Sequence, residues 1–559
     1  MNECLKVREH NCKHCYKCIR NCPVKAIRFI SNQAGIVRDE CVLCGRCFVC
    51  CPQSAWVVRD DIPTAKALLK GDAPVYASIA PSFAANYPGV SIKSITNTLL
   101  KMGFAGASET AIGATIVKKS YNEMLNSDKQ QPLISSCCHT VNMLIQRYFP
   151  ETLPYLAKVQ SPMLAHCAAI KREHPGVKTV FFGPCISKKD ESEQYPGIVD
   201  CVVTFEGLSK WLIDDKIELQ KDDNPERGGK ARLFPVAGGI IRSMLVDNNN
   251  FRYLVIDGMD RCMTALKEIS EGKLTERCFI EMSACTGSCI GGPTMGRGKT
   301  FPIRGGLAVE KQAGKDDFSI KMPPSGLLQK SIKPQPVPTQ EYNARDLEET
   351  LRRIGKSSLS DELNCGSCGY DTCREKALAT LAGKSDETMC LPYLMERAQS
   401  FSDIIVSNSF SGVIVMNESL IIQEMNVAGG RILDIEDHKS VVGEHISAVL
   451  DPTPFLEISK ENHNIDELKV CLAEQGRHIS LSILYDFSFH VIIAIIRDIT
   501  ERETAREIKE ARDNRTIEIT DKVIEKQMAT VQIIASLLGE TTAETKIALT
   551  KLKETLRNE

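Results

Sequence analysis

The chain has 559 residues, 43 % hydrophobic and 25 % charged, with a formal net charge of −2 and a pI near 6.6. That length accommodates several domains with ordinary packed cores, and the balanced charge excludes a strongly basic surface for nucleic acid or anionic membrane. The longest purely apolar run of the tail, Val491–Ile496, is far short of the roughly 20 residues that span a bilayer, and the Met-Asn-Glu-Cys-Leu-Lys start lacks the apolar segment of a secretory signal, so cytoplasmic residence is expected.

Residues 1–60 hold an internal repeat: Cys12-x2-Cys15-x2-Cys18-x3-Cys22-Pro23 recurs 29 residues later as Cys41-x2-Cys44-x2-Cys47-x3-Cys51-Pro52. In this spacing three thiolates surround one 4Fe-4S cubane and the fourth reaches the neighbouring cluster. A bacterial-type 2×(4Fe-4S) ferredoxin domain is predicted, with Cys12, Cys15, Cys18 and Cys51 on one cluster and Cys41, Cys44, Cys47 and Cys22 on the other. Cys50 is left over. Zinc would need only four ligands per ion and does not explain the duplicated eight.

From 75 to 315, apolar runs such as Val75–Ile79, Val180–Phe182 and Tyr253–Ile256 alternate with helical patterns, which predicts an α/β domain with cysteines in the loops after strands. Residues 316–344 read as a linker, since Met322–Tyr342 carries five prolines and little periodicity. Residues 345–398 contain Cys365-x2-Cys368-x4-Cys373-x16-Cys390, which resembles the 4Fe-4S domain of redox-enzyme subunits; zinc is the alternative, because four thiolates alone do not separate the two metals. Residues 400–500 alternate strand-like and short helical segments. The tail from 501 to 559 is helical, with Ile524, Met528, Val531, Ala535 and Leu538, then Thr545, Leu549, Leu552 and Leu556, in coiled-coil spacing; Gly539 marks a bend between the stripes. A seam of this kind predicts a homodimer, the alternative being two amphipathic helices folded on their own domain. The isolated cysteines Cys4, Cys167, Cys201, Cys262, Cys278 and Cys471 read as small buried apolar residues.

Three motifs of the middle domain occur in the order of the FeFe (iron-only) hydrogenase catalytic domain. The family's Thr-Ser-Cys-Cys-Pro resembles Ser135-Ser136-Cys137-Cys138-His139; its Met-Pro-Cys-x2-Lys-x2-Glu resembles Gly183-Pro184-Cys185-Ile186-Ser187-Lys188-Lys189-Asp190-Glu191; its Met-Ala-Cys-x-Gly-Gly-Cys-x2-Gly-Gly resembles Ser283-Ala284-Cys285-Thr286-Gly287-Ser288-Cys289-Ile290-Gly291-Gly292. The resemblance implies that Cys138, Cys185, Cys285 and Cys289 hold the 4Fe-4S part of an H-cluster, with Cys289 bridging to a diiron subsite that carries carbon monoxide, cyanide and dithiolate ligands. It further implies that Lys188 donates to a cyanide, that Cys137 relays protons, and that Pro184 and the segment Ala80-Pro81-Ser82 line the same pocket.

Departures point to a sensory, PAS-containing member. Gly183 and Ser283 stand where catalytic members carry methionines, and Lys118-Lys119 stand where the family has a pair of glutamates on its proton path. His139, in place of a proline, is a candidate base or a structural residue. Residues 400–500 resemble a PAS domain through Asn426 and Ala428, a five-strand pattern, and Asp498-Ile499-Thr500 before a helix; His438 and His445 are weak haem candidates, and a PAS without ligand is expected. No histidine follows His490, so the tail lacks a phosphoaccepting histidine and a separate kinase or phosphatase is the expected receiver.

The sequence thus predicts a multidomain α+β and α/β protein: ferredoxin domain, H-cluster domain, small 4Fe-4S domain, PAS domain and helical coiled coil. The expected function is a slow, hydrogen-sensing FeFe hydrogenase that passes electrons through 4Fe-4S clusters, with dihydrogen, protons and a ferredoxin-like protein as partners. The alternatives are a catalytic ferredoxin-linked or bifurcating hydrogenase whose tail serves dimerisation or docking, and a non-enzymatic iron–sulfur carrier without the diiron subsite.

Overall fold

Closely spaced cysteines leave room for only short elements, and in the computed structural model the cysteine-rich start forms two antiparallel pairs, β1 (Leu5–Val7) with β4 (Trp56–Val58) and β2 (Ile27–Ile30) with β3 (Gln33–Ile36). The structure describes residues 4–127, 132–222, 225–244, 251–274, 276–295, 302–338, 340–461, 464–473 and 475–557. The repeat is structural as well: each half carries a short helix, Lys17–Arg20 or Arg46–Cys50, entered through a left-handed residue, Tyr16 (φ 53°) or Gly45 (φ 75°). Ile19, Phe29, Phe48 and Trp56 fill the space between the halves. The chain divides into two units, Met1–Leu394 and Met395–Glu559.

The rest of the first unit is α/β. One fully parallel sheet has the order β6 (Gly106–Glu109), β5 (Val75–Ile79), β8 (Lys178–Gly183), β9 (Cys201–Thr204). A second has the order β10 (Arg252–Asp257), β11 (Cys278–Ser283), β7 (Leu133–Ile134), again all parallel. Parallel strands need helical crossovers, which cover both faces and explain the near-continuous burial of β8, β9 and β11. The consequence for function is positional, because loops at the carboxyl ends of parallel strands form the usual ligand crevice. Here those loops carry Ala80-Pro81-Ser82 (after β5), Cys137-Cys138 (after β7), Pro184-Cys185 (after β8) and Cys285 (after β11).

Residues 325–337, expected as a linker, are instead a strap on this domain. Val159 bridges to Gln329, the Gln160 N–H donates to the Leu328 carbonyl (2.9 Å), and the N–H groups of Gln335 and Val337 donate to the carbonyls of Gln146 and Arg147. Leu328 and Lys330 are buried. Prolines had masked this: they suppress periodicity, yet extended backbone satisfies itself against a neighbouring loop as well as in a sheet. The neck then packs on the ferredoxin portion, with Arg20 donating to the Gly366 and Ser367 carbonyls, Lys25 to the Gly369 carbonyl, and Lys384 paired with Glu40 (2.5 Å).

In the second unit a five-stranded antiparallel sheet has the order β13 (Ile422–Met425), β12 (Gly412–Asn417), β16 (Val491–Asp498), β15 (Arg477–Asp486), β14 (Ile465–Leu472). Its core is filled by Ile414, Met416, Phe455, Ile483 and Ile492. Asn426 is buried and satisfied: its amide donates to the Val406 and Ser411 carbonyls, and its oxygen accepts from the Val413 and Gly429 N–H groups. Cys471, expected in a core, lies exposed on the outer face of β14, because strand alternation places Val470 and Leu472, not Cys471, toward the packed side. The final helix, Thr500–Arg557, is continuous through Gly539. The expected bend is absent because one glycine costs a helix only about 1 kcal/mol relative to alanine. Ile524, Met528, Val531 and Leu538 are exposed along it, as are Leu549 and Leu552; the side chain of Leu556 lies outside the described ones. Among the described residues no helix is long and apolar enough to cross a membrane.

Candidate metal centre

The loop after β7 is fixed before it reaches its cysteines. The Ser135 N–H donates to the Ile280 carbonyl (2.9 Å), the Ser135 hydroxyl accepts from the Met282 N–H (3.0 Å), and the Ser136 hydroxyl donates to the Val159 carbonyl (2.8 Å). Cys138 then sits at the start of the helix His139–Tyr148. Cys185 lies between β8 and the helix Ser187–Gln194, and the loop after β11 places Cys285 and Cys289 on either side of a tight turn. Glycine is required in that turn: a side chain at Gly291 would collide with the Thr286 carbonyl, and at Gly292 a Cβ would lie 2.8 Å from the Pro184 carbonyl.

These loops enclose one cavity of about 120 Å³, bordered by Cys137, Cys138, Cys185, Cys285 and Cys289 together with Ala80, Pro81, Ser82, Pro184 and Lys188. A single water needs about 10–15 Å³, so the space suits a group of many atoms. Among the described residues no three His, Cys, Asp or Glu side chains close on a point as ligands of a single ion do. The thiols instead border a void, and their soft donor set suits an iron–sulfur centre. Two buried oxygens, Ser82 Oγ and Glu281 Oε1, have no hydrogen-bond partner in the protein, and both residues line this cavity. The residues present therefore fit a large, polar-tipped metal cofactor.

The family description "Iron only hydrogenase large subunit, C-terminal domain" matches residues 73–293, and "Putative Fe-S cluster" matches residues 361–392. Residues 73–293 are thus similar to the iron-only hydrogenase domain. Iron hydrogenase 1 of Clostridium pasteurianum is 25 % identical over 278 residues, 39 % of this chain and 48 % of that protein. The periplasmic Fe hydrogenase large subunit of Nitratidesulfovibrio vulgaris is 24 % identical over 269 residues, 36 % of this chain and 63 % of the relative. The chain spans about half the length of the curated relatives it matches. An apo FeFe-hydrogenase structure from Chlamydomonas reinhardtii aligns with 15 % identity over 50 % of this chain and 100 % of its own, with a TM-score of 0.41.

The electrostatics of this cavity follow from burial. Desolvation pushes the Cys137 and Cys289 thiols up to about 12 and Cys285 well above the thiol range, so these groups ionise only beside a metal cation. Cys289 has its surface open, but open onto the cavity it borders. Burial alone would lower Lys188; Glu191, 2.5 Å from its Nζ, outweighs this and raises it. Against the raising effect of burial, Lys188 and Lys330 hold the Glu191 carboxyl well below the carboxylate range. Lys188 also donates to the Cys137 carbonyl (3.1 Å).

The titratable groups around the cavity are arranged differently from the sequence expectation. Cys137 Sγ is 3.2 Å from the Tyr121 hydroxyl, which is 3.2 Å from the Ser136 hydroxyl. Lys118 is buried, donates to the Ser243 carbonyl (2.7 Å) and is ion-paired with Asp317, so its ammonium is committed. His139 Nε2 faces Asp190 Oδ2 (2.8 Å), and burial lowers its affinity for a proton. Sequence reading missed Glu281. It lies on β11, lines the cavity, and accepts from the Ile241 N–H (3.1 Å) at the start of the helix Gly239–Ser243. Burial raises it to about 7 despite those backbone donors. The available signal was a carboxylate inside the otherwise uncharged strand Cys-Phe-Ile-Glu-Met-Ser.

The other cysteine sets also border gaps. Cys12, Cys15, Cys18 and Cys51 share one, and Cys365, Cys368, Cys373 and Cys390 share another. Cys41, Cys44 and Cys22 stand close enough to Cys47 for their charges to raise its thiol. Cys44 acts likewise on Cys285. That approach depends on Gly45, where a Cβ would lie 2.6 Å from Pro293, and on the bidentate Arg46–Asp260 pair (2.8 and 2.6 Å). At Gly183 the Phe181 ring takes the space of a side chain.

Proposed function

We propose that this chain is a hydrogen-sensing FeFe hydrogenase of low turnover, which activates dihydrogen reversibly and conveys the resulting redox state to a PAS and helical tail. The observation that carries the reading is the convergence of five thiols and one buried ammonium on a single enclosed cavity. Cys138, Cys185, Cys285 and Cys289 would hold the H-cluster. When bound, that cofactor supplies the Lewis acidity and redox chemistry for cleaving dihydrogen.

The chain's own residues bind, orient and move protons. Lys188 presents an ammonium to an anionic ligand. Met163, Phe181, Phe234 and Ile240 make the walls apolar and exclude water. Cys137 exchanges the proton, the Tyr121 hydroxyl holds the thiol in place, and Glu281, titrating near neutrality at the same cavity, serves as the next acceptor. Low turnover is supported by Lys118, whose committed ammonium replaces a carboxylate on the family's path. Three further 4Fe-4S clusters would be held by Cys22, Cys41, Cys44 and Cys47, by Cys12, Cys15, Cys18 and Cys51, and by the neck cysteines, and would supply one-electron transfer away from the cavity. A ferredoxin-like protein is the external redox partner. The tail would dimerise the chain and address a separate kinase or phosphatase.

Infrared spectroscopy after reconstitution with iron, sulfide and a synthetic diiron complex tests the site: bands of metal-bound carbon monoxide and cyanide are expected, and their absence overturns the reading. Amide exchange of the tail under dihydrogen and under nitrogen tests sensing; identical protection overturns that half. Retention of Cys137 favours a second reading as a turnover enzyme with a ferredoxin acceptor, which fast hydrogen evolution at full cofactor occupancy would establish.

A further inference from the structure

Glu191 is shared by two buried cations. Lys188 Nζ lies 2.5 Å from Oε2, and Lys330 Nζ lies 2.6 Å from Oε1, where Lys330 and Glu191 are 1 % and 0 % exposed. Ser161 completes the carboxylate with a hydroxyl at 2.9 Å from Oε2. Lys188 is the member that lines the cavity. Lys330 arrives from the strap and lies outside the stretch 73–293 that matches the hydrogenase family. Its backbone N–H donates to the Lys158 carbonyl (3.1 Å), and its ammonium sits 5.1 Å from the Tyr195 ring centroid.

The consequence is one of charge. A buried Lys188–Glu191 pair alone is neutral, and the ammonium is spent on its partner. With Lys330 the triad carries one net positive charge, in a medium where little water screens it. Of the other charged groups nearby, Asp190 is 26 % exposed, so water screens its charge, and it accepts from His139 Nε2 (2.8 Å) and Gln194 Nε2 (2.7 Å); His139 Nδ1 is 3.9 Å from Glu191 Oε1, and Glu281 is on strand β11.

We propose that Lys330 is a positioning residue for the anionic, cyanide-bearing unit of the cofactor: by compensating Glu191 it leaves the charge of Lys188 to the cavity, making the strap part of the cofactor site. This rests on the hydrogenase reading above.

The test uses the full chain with its cubanes reconstituted and a synthetic diiron complex bearing carbon monoxide, cyanide and dithiolate ligands. Infrared cyanide bands are compared for wild type, K330M, K330R, E191Q and K330M/E191Q, with L328A as a strap-loosening variant of unchanged charge. K330M, with a neutral wall, should retain the complex several-fold less well and shift the bands to lower wavenumber. K330R should match wild type, E191Q should shift the bands upward, and K330M/E191Q, with the net charge restored, should return to the wild-type position. Wild-type bands unmoved in K330M, or a double variant that stays with K330M, overturn the proposal, as does an L328A spectrum shifted like that of K330M. Should K330M lose its cubane iron, E191Q decides alone: an upward shift supports the proposal and an unshifted spectrum overturns it. Absence of bands in wild type refutes the hydrogenase reading instead.

Discussion

The Tyr121 hydroxyl lies 3.2 Å from Cys137 Sγ and accepts a hydrogen bond from the Ser136 N–H at 2.9 Å, so the phenol is pinned by the same loop whose thiol it orients. Y121F should leave iron content unchanged and slow hydrogen evolution by about three- to tenfold, the worth of one neutral hydrogen bond. C137A removes the group itself and should cost on the order of a hundredfold or more. Equal effects from the two variants would mean that the thiol is not the proton carrier. Gas-chromatographic assays normalised to diiron content distinguish these outcomes.

Glu281 gives a pH signature. Its carboxyl is raised from 4.5 to about 7 by burial, so it donates below about pH 7 and accepts above it. Hydrogen evolution should fall, and oxidation rise, as pH passes through 7; E281Q should lose roughly a hundredfold of both rates and flatten the step. The stability sign is the reverse of a salt-bridged carboxylate: the folded chain binds more protons than the unfolded chain between about pH 4.5 and 7, so stability falls as pH rises through that window. Thermal unfolding should therefore find E281Q level with wild type below pH 4.5 and more stable above pH 7. A wild-type profile without a step near 7 would remove Glu281 from the proton route.

Lys118 should be dispensable for turnover. Its ammonium is held by the Ser243 carbonyl and by Asp317, whose side chain is 33 % exposed. K118M leaves that carboxylate partly hydrated, so destabilisation of only about 1 kcal/mol is expected, and hydrogen evolution should not change. A large loss of rate would show that protons use the family's route after all.

How much of this was legible depended on whether a group's partner is near it in sequence. The cysteine repeat was readable because its spacing is local, and Cys51 borders the same gap as Cys12, Cys15 and Cys18. The three hydrogenase motifs were readable for the same reason. Glu281 was not, since its meaning comes from backbone donors some forty residues earlier and from an orphaned oxygen that only packing reveals. Lys330 was hidden by proline-rich surroundings that signal disorder, although its partner Glu191 was in plain view within a motif. In the tail, Asn426 was recognised but its reason, four hydrogen bonds made by one buried amide, required the fold.

The neck cysteines offer a test that separates cluster function from catalysis. Cys390 immediately precedes the helix Leu391–Ser407, and Cys365, Cys368 and Cys373 border the same gap. C365A should lower the iron content by about four per chain, the size of one cubane. The infrared bands of the diiron unit should be unmoved, because the neck contributes nothing to that cavity. Any difference in tail amide exchange between dihydrogen and nitrogen should vanish. Persistence of that difference would route the signal around the neck, and a loss of only one metal ion, with zinc in place of iron, would reassign the site.

The continuous helix Thr500–Arg557 leaves Ile524, Met528, Val531 and Leu538 between 53 % and 62 % exposed. Burying one such side chain is worth about 1.5–3 kcal/mol, and heptad spacing gathers these into one seam, so association with a second copy is the favoured way to cover it. V531E and L538E together place like charges in that seam and should convert a dimer to a monomer in light-scattering measurements, with iron content and infrared bands intact. A wild-type chain that is monomeric at micromolar concentration would mean that the stripe serves a different protein, and the double substitution should then abolish signalling output without altering mass.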